Sequence, residues 1–263
     1  MRLKHQPTEQ LKQTPHIVAF LDFLNASEKM QDYNNSDKFL QKINYVYTFA
    51  KYIMKESKKF RDDRIKIKIF SDNIVIAEEI KDQQDQILEL IDIEQFSLLL
   101  YTYSLLNGST MRGAISIGSL YMDDTFVYGT ALLNAYNSES KTANYPRIII
   151  DPQIFDCHSE DVLNLYNLLG EEKIICRDID GEFFLNPFWG IPRLTENDNG
   201  EIKKVLIKIG NFILKEYQEQ LTKNKRVVFP KYHWLANQFN VYCNNNNHPL
   251  LINLDRLTLE DKK

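Results

Sequence analysis

The sequence predicts a mixed α/β fold: strands and helices alternate into one sheet, helices pack mainly on one face, and a helical extension follows at the C-terminus. Three observations carry this prediction. Short apolar runs rich in β-branched residues recur along the first 152 positions. Segments with apolar residues at three- and four-residue steps separate them, and after residue 152 the helical patterns dominate. Strands alternating with helices of this length are the mark of a sheet layered with helices.

The elements follow in chain order. Residues 1–15 are a polar tail, and 16–152 carry the alternating pattern. HIVAFLDFL (16–24) is a continuous apolar run with a single acid inside it, as in a central strand buried on both faces. NAS (25–27) then signals a helix start. Over 36–57, Phe39, Leu40, Ile43, Val46, Tyr47, Ala50 and Ile53 form one apolar stripe of an amphipathic helix. KIKIFSDNIVIA (66–77) is two alternating runs broken by Ser71, Asp72 and Asn73, which reads as a β-hairpin. A Leu- and Ile-rich helix follows at roughly 84–106, closed by Asn107-Gly108. RGAISIGSLYMDDTFVYG (112–129) gives two strands with Asp123-Asp124 at the turn, TALLNAYNSESKTA a helix and YPRIIID a strand.

The portion 153–263 is expected to be mostly helical and packed on the same domain. DVLNLYNLLGEE suggests a helix, DIDGEFFLNPFWGIP a short strand pair and loop, and two long amphipathic patterns begin at Glu201 and Phe229.

Composition narrows the function. The 263 residues are 43% hydrophobic and 26% charged with 9 Gly and 8 Pro, an ordinary globular balance. A net charge of −4 provides no general attraction to nucleic acid or anionic membranes, so phosphate chemistry must rest on local features. Cys157, Cys176 and Cys243 make neither a metal pair nor a disulfide framework, which points to the cytoplasm. The polar N-terminal segment lacks a signal peptide's apolar stretch, and no run of 18 apolar residues suggests a membrane span.

Two acids stand out. Asp22 lies within an apolar strand, where an unpaired carboxylate costs several kcal/mol to bury, so it needs a partner. Asp72 sits at the hairpin tip, as a turn former or as a metal ligand. Neighbouring strands would set the two side by side. Two close carboxylates repel unless a cation lies between them, and hard oxygen ligands of this kind suit magnesium.

These residues resemble the catalytic domain of class III nucleotidyl cyclases, a ferredoxin-like palm fold. The likeness covers roughly residues 16–152 and rests on VAFLDFLNAS with Asp22, KIKIFSD with Asp72, RGAISIG and VYGTALLNAYNSES. It implies two Mg²⁺ or Mn²⁺ ions on Asp22 and Asp72, and conversion of a nucleoside triphosphate to a 3′,5′-cyclic monophosphate and pyrophosphate. It also implies substrate contacts at Phe23, Leu24, Asn25, Ala26 and Ser27, whose turn would hold the β and γ phosphates, and at Arg112. Lys68 and Phe126 fall at the family's base-reading positions, and a head-to-tail homodimer is expected, with no nucleic acid or membrane as partner. The family's transition-state Asn and Arg positions are Leu133 and Asn137 here; Asn134 lies one residue late, and Lys141 or Arg147 are the candidate replacement cations. Antiphage pyrimidine cyclases, which make cyclic UMP or cyclic CMP, are the nearest functional analogy. The alternatives are an inactive cyclase-like regulator that binds nucleotide or a protein, and a palm domain that makes linked or cyclic dinucleotides.

Other features have plainer readings. Asp123-Asp124 reads as a hairpin turn, and Asp178, Asp180 and Gly181 only faintly suggest a calcium loop because its other ligands are missing. His158, His233 and His248 have no nucleophile nearby in sequence.

Overall fold

The computed structural model describes residues 11–57, 64–81, 86–156, 174–222 and 229–261. The first ten residues, the helix expected at 161–172, Cys157 and His158 lie outside the described residues.

The fold is mixed α/β, with a multi-stranded sheet and helices. Strand β1 (Thr14–Phe23) leads through the short helix α1 (Ala26–Gln31) into α2 (Ser36–Ser57). The hairpin β2 (Ile65–Phe70) and β3 (Asn73–Glu79) precedes α3 (Gln86–Leu106), then β4 (Met111–Met122), β5 (Val127–Gly129), α4 (Thr130–Thr142) and β6 (Ile148–Ile150). After α5 (Gln153–Asp156) come β7 (Ile175–Arg177), β8 (Phe183–Leu185), α6 (Ile191–Leu194), α7 (Asn199–Thr222) and α8 (Phe229–Asn245). A small separate hairpin, β9 (Leu250–Asn253) with β10 (Thr258–Asp261), ends the described chain, where the sequence pattern had suggested no strands.

Among the described residues the main sheet runs β2-β3-β1-β4-β6-β8-β7, with β5 paired to β4. The apolar run of β1 lies at its centre, antiparallel to β3 on one side and to β4 on the other. Because side chains alternate along a strand, Ile17, Ala19, Leu21 and Phe23 point to one face, and Val18, Phe20 and Asp22 to the other. The first face joins the large core, which includes Phe39, Ile43 and Val46 of α2 and Leu90 and Ile93 of α3. The second is a smaller cluster in which Ala131 and Ala135 of α4 cover Val18, Phe20, Val75 and Leu120. Helix α4 is thus alone in packing on Asp22's face among these three. The strands β7 and β8, beyond residue 152, extend the same sheet from β6.

Glycines set how closely these layers meet. A Cβ on Gly113 would stand 2.5 Å from the Phe20 carbonyl oxygen, and one on Gly118 would stand 2.8 Å from the Ala131 nitrogen. The RGAISIG strand therefore approaches β1 and the start of α4 more closely than a side chain permits.

Candidate functional site

Asp22 is the last residue on its face of β1 before the strand ends, and its two strand neighbours decide what it meets. In register it faces Asn73 of β3 and Arg112 of β4. The hairpin tip turns tightly through Ser71, whose φ of 54° is left-handed, and α2 fixes it: the Tyr47 hydroxyl donates to the Ser71 carbonyl at 2.7 Å. The Phe23 N–H donates to the Asp72 carbonyl at 3.2 Å, which holds the tip against the end of β1. Asp22 and Asp72 are therefore brought together, and the Asp72 charge is felt at Asp22.

Arg112 approaches Asp22 through Nε, 3.3 Å from Oδ2. The same Nε lies 2.6 Å from Oε1 of Glu139, an acid on the buried face of α4. One guanidinium edge thus serves two carboxylates. Its terminal nitrogens have no partner among the described residues. Burial pushes the Asp22 carboxyl from 3.8 up to about 6; the Asp72 charge adds to this, while Arg112 and Lys231 oppose it. Glu139 is also raised, first by burial and then by Asp22, against the pull of Arg112.

Helix α4 holds Glu139 in place through a second polar anchor. The buried Asp151 accepts from Ser116 of β4 at 3.0 Å and from Ser138 of α4 at 3.1 Å, and its other oxygen caps the Gln153 N–H at 3.0 Å. Its hydrogen-bonding capacity is well used, as a buried carboxylate requires.

The remaining sequence candidates distribute unevenly. The Leu24 N–H donates to the Thr110 carbonyl at 2.9 Å and that of Phe23 to Asp72, so both are engaged within the sheet's end. Asn25 takes a left-handed φ of 61° and opens the six-residue α1, with Ala26 buried and Ser27 exposed. Lys68 reaches the Asp123–Asp124 turn, donating to the Asp123 carbonyl at 3.1 Å and also to that of Asp124. Phe126 lies in this turn, its ring 5.2 Å from that of Tyr121, so Lys68 and Phe126 are gathered at one place. Asp123 is an Asx-type turn former, accepting from the Thr125 and Phe126 N–H groups at 2.7 and 2.8 Å.

Asn134 is not brought to Asp22 within one chain. Its amide donates to the Ile117 carbonyl and to Gln153, both at 3.4 Å. Ile117 lies five residues along β4 from Arg112, roughly 16 Å at a strand's usual rise. Of the two replacement cations, Lys141 is exposed, and Arg147 is fully buried and ion-paired with Asp178 and Asp180. That pairing also accounts for Asp178 and Asp180 without calcium. A charged site residue near Asp22 that the sequence pattern had not pointed to is Lys231 of α8. Glu139 carries one legible signal, the Ala131, Ala135, Glu139 stripe that puts an acid on a buried helix face.

The Asp22 and Asp72 carboxylates match what magnesium takes from protein, one or two acids with the remaining ligands from phosphate and water. Among the described residues no group of three or more His, Cys, Asp or Glu could hold an ion by itself, so a metal here would depend on substrate oxygens.

Beside this site an open groove of about 580 Å³ runs between Phe20, Phe70, Asn73, Leu133 and Tyr136. Phe70, Tyr128, Leu133 and Tyr136 of its lining are substantially exposed. No described helix is long and apolar enough to cross a membrane.

No family model and no curated protein matches the sequence. Among solved structures the chain is similar to the guanylyl cyclase Cya2, at 12% identity and a TM-score of 0.35 over 54% of this chain and 77% of that one. It is also similar to a bacterial light-regulated adenylyl cyclase, at 12% identity and a TM-score of 0.34 over 70% of this chain and 98% of that one.

Proposed function

We propose that the protein is a nucleotidyl cyclase-like enzyme that closes a nucleoside triphosphate to its 3′,5′-cyclic monophosphate and releases pyrophosphate. One observation carries the reading: Asp22 and Asp72 lie together where β1 ends, with Arg112 in register across from Asp22. In the reaction the ribose 3′-oxygen bonds to the α-phosphorus, the bond to pyrophosphate breaks, and the 3′-hydroxyl proton passes to solvent. Arg112 has terminal N–H groups to spare for phosphate oxygens, and charge-assisted contacts of this kind are strongest where water is excluded. Asp22 and Asp72 would hold Mg²⁺ or Mn²⁺, which when bound supplies positive charge at the phosphates and lowers the pKa of the attacking hydroxyl.

A head-to-tail homodimer fits the separation of the remaining parts. Lys68, Phe126 and Asn134 lie away from Asp22 in their own chain, so a second copy would bring them to the first copy's acids. The exposed Phe70, Tyr128, Leu133 and Tyr136 provide an apolar surface for that contact. The finer assignment, a pyrimidine cyclase of cytoplasmic antiphage signalling making cyclic UMP or cyclic CMP, rests on analogy with diverged members of the family.

Incubation of the protein with each of the four NTPs and Mn²⁺ tests the reading, with cyclic nucleotide and pyrophosphate as the expected products. No product from any NTP overturns it. The second reading, an inactive cyclase-like domain that binds nucleotide or a protein partner as a regulator, is favoured by Leu133 and Asn137 at the usual transition-state positions. Nucleotide binding without turnover would establish it.

A further inference from the structure

We infer that the C-terminal helix completes the phosphate side of this site in cis, and that Lys231 contacts the substrate's polyphosphate directly beside Arg112. The inference rests on the triphosphate reading and adds to it a residue outside the palm-like region.

Two anchors place the start of α8. Tyr232 is fully buried; its hydroxyl donates to Glu216 of α7 at 3.0 Å and also meets the Thr110 side chain. Thr110 precedes β4 and accepts the Leu24 N–H, so Tyr232 sits where the end of β1 and the start of β4 are tied together. Two residues on, the Trp234 indole donates to Asp178 at 2.8 Å, stacks on Tyr145 at 5.7 Å and meets Phe184 edge-on at 5.3 Å. The helix is thereby pinned across the strand ends that carry Asp22 and Arg112.

Lys231 immediately precedes the first anchor and is half-buried. The charged groups that act on it are Arg112, Asp22 and Glu139. Burial is the main cause that lowers its ammonium below the ordinary lysine range, Arg112 adds to this, and the two acids oppose it. It forms no ion pair or hydrogen bond with any described residue. A half-buried ammonium with unused donors, within reach of the charge of a guanidinium whose terminal nitrogens make no hydrogen bond with any described residue, is a poor arrangement for the free chain. It becomes a good one when a polyanion enters, because each cation then gains charge-assisted hydrogen bonds. Arg147 cannot take this role, since Asp178 and Asp180 already hold it. The occupant's class follows from the charges: a chain of phosphates, as in a nucleoside triphosphate or tripolyphosphate.

The test is calorimetric titration of the full chain with inorganic tripolyphosphate, run on the wild type, Lys231→Gln and Lys231→Arg, with thermal melting of each and NTP turnover alongside. Loss of one charged contact is expected to weaken binding by about tenfold or more in Lys231→Gln, while Lys231→Arg stays close to wild type. Equal affinity of wild type and Lys231→Gln overturns the inference and leaves Lys231 as a charge balance for Asp22 and Glu139; absence of binding to the wild type overturns it as well. Should Lys231→Gln not fold, an Lys231→Arg protein that folds but has lost tripolyphosphate binding is the overturning result. Binding that depends on Lys231 with no cyclic product from any NTP sustains the inference while removing the cyclase reading. Turnover unchanged in Lys231→Gln does the reverse.

Discussion

Asp22 and Arg112 face each other in register on β1 and β4, 3.3 Å apart, and the Arg112 nitrogen that meets Asp22 is also 2.6 Å from Glu139. An antiparallel neighbour thus supplies the partner that an acid inside an apolar strand requires. One cationic edge for two acids leaves Asp22 incompletely compensated, and burial dominates its titration.

The first prediction follows from that titration. The folded-state value of Asp22 is raised from 3.8 to about 6, so between those values the folded chain holds a proton that the unfolded chain has released. Stability therefore falls as pH rises through that window and is greatest below it. In denaturant titrations without nucleotide or divalent ions, Asp22→Asn should remove this decline and be the more stable protein at neutral pH by about 3 kcal/mol. Parallel stability profiles for the two proteins across the window would count against the assignment.

Asp72 separates structure from chemistry. Its main-chain carbonyl, not its carboxylate, ties the hairpin tip to Phe23. Asp72→Ala should therefore melt within a few degrees of wild type, a change of about 1 kcal/mol or less. Cyclic product and any divalent-dependent nucleotide binding should be lost. Turnover surviving in Asp72→Ala would remove it from the metal assignment.

Arg147 is buried among Asp178, Asp180 and the rings of Tyr145 and Phe184. Removing Arg147 leaves the buried Asp178 carboxylate with only two neutral donors among the described residues, the Trp234 indole and the Ile179 N–H, so Arg147→Met should cost about 3–5 kcal/mol in urea unfolding. Arg147→Lys should recover little of this, because a single ammonium cannot span two carboxylates as the guanidinium does. A loss below about 1 kcal/mol would show that the cluster does not hold the β6 and β8 ends together.

Gly113 and Gly181 separate crowding from backbone conformation. A Cβ at Gly113 meets the Phe20 carbonyl oxygen at 2.5 Å, so Gly113→Ala must push β1 and β4 apart one residue pair from Asp22 and Arg112, and should cost more than about 2 kcal/mol. Gly181, at φ +91°, has its nearest neighbour at 3.9 Å, so Gly181→Ala should cost only the strain of its left-handed conformation, about 1 kcal/mol. Melting curves that rank the two in the opposite order would contradict this packing.

The groove beside the site bears on assembly. Leu133 is 56% exposed on α4 next to Tyr136 and Phe70. Under the dimer proposal, Leu133→Glu should shift the sedimentation coefficient from dimer to monomer at micromolar concentration and abolish turnover, while melting little changed. A wild type that sediments as a monomer at all concentrations would exclude the second copy.

Much of the fold was legible along the chain because its signals are local. The HIVAFLDFL run reads as a doubly buried strand and is the sheet's centre, and the break at Ser71 and Asp72 reads as a hairpin tip and is one. The Phe39 to Ile53 stripe reads as a helix and packs as α2, although Leu40 within it faces solvent. What could not be read locally was which face each helix would cover. Helix α4 lies opposite α2 and α3, because the Gly118 and Gly129 positions let it close against β4. The strands beyond residue 152 gave no local sign that they would extend the same sheet.

The same division holds at the site. Asp22 and Asp72 were selected by the sequence alone, since an acid in an apolar strand and an acid at a hairpin tip are each anomalies within a few residues. Only the tertiary structure decided their company. Arg112 meets Asp22 through strand register, Glu139 meets Arg112 through the docking of α4, and Lys231 comes near through two aromatic anchors more than two hundred residues from Asp22. Charges act through space, whereas sequence patterns record only neighbours along the chain, so Asp22, Asp72 and Arg112 could be picked out by reading, but not the pairing of Arg112 with Asp22 and Glu139 or the approach of Lys231.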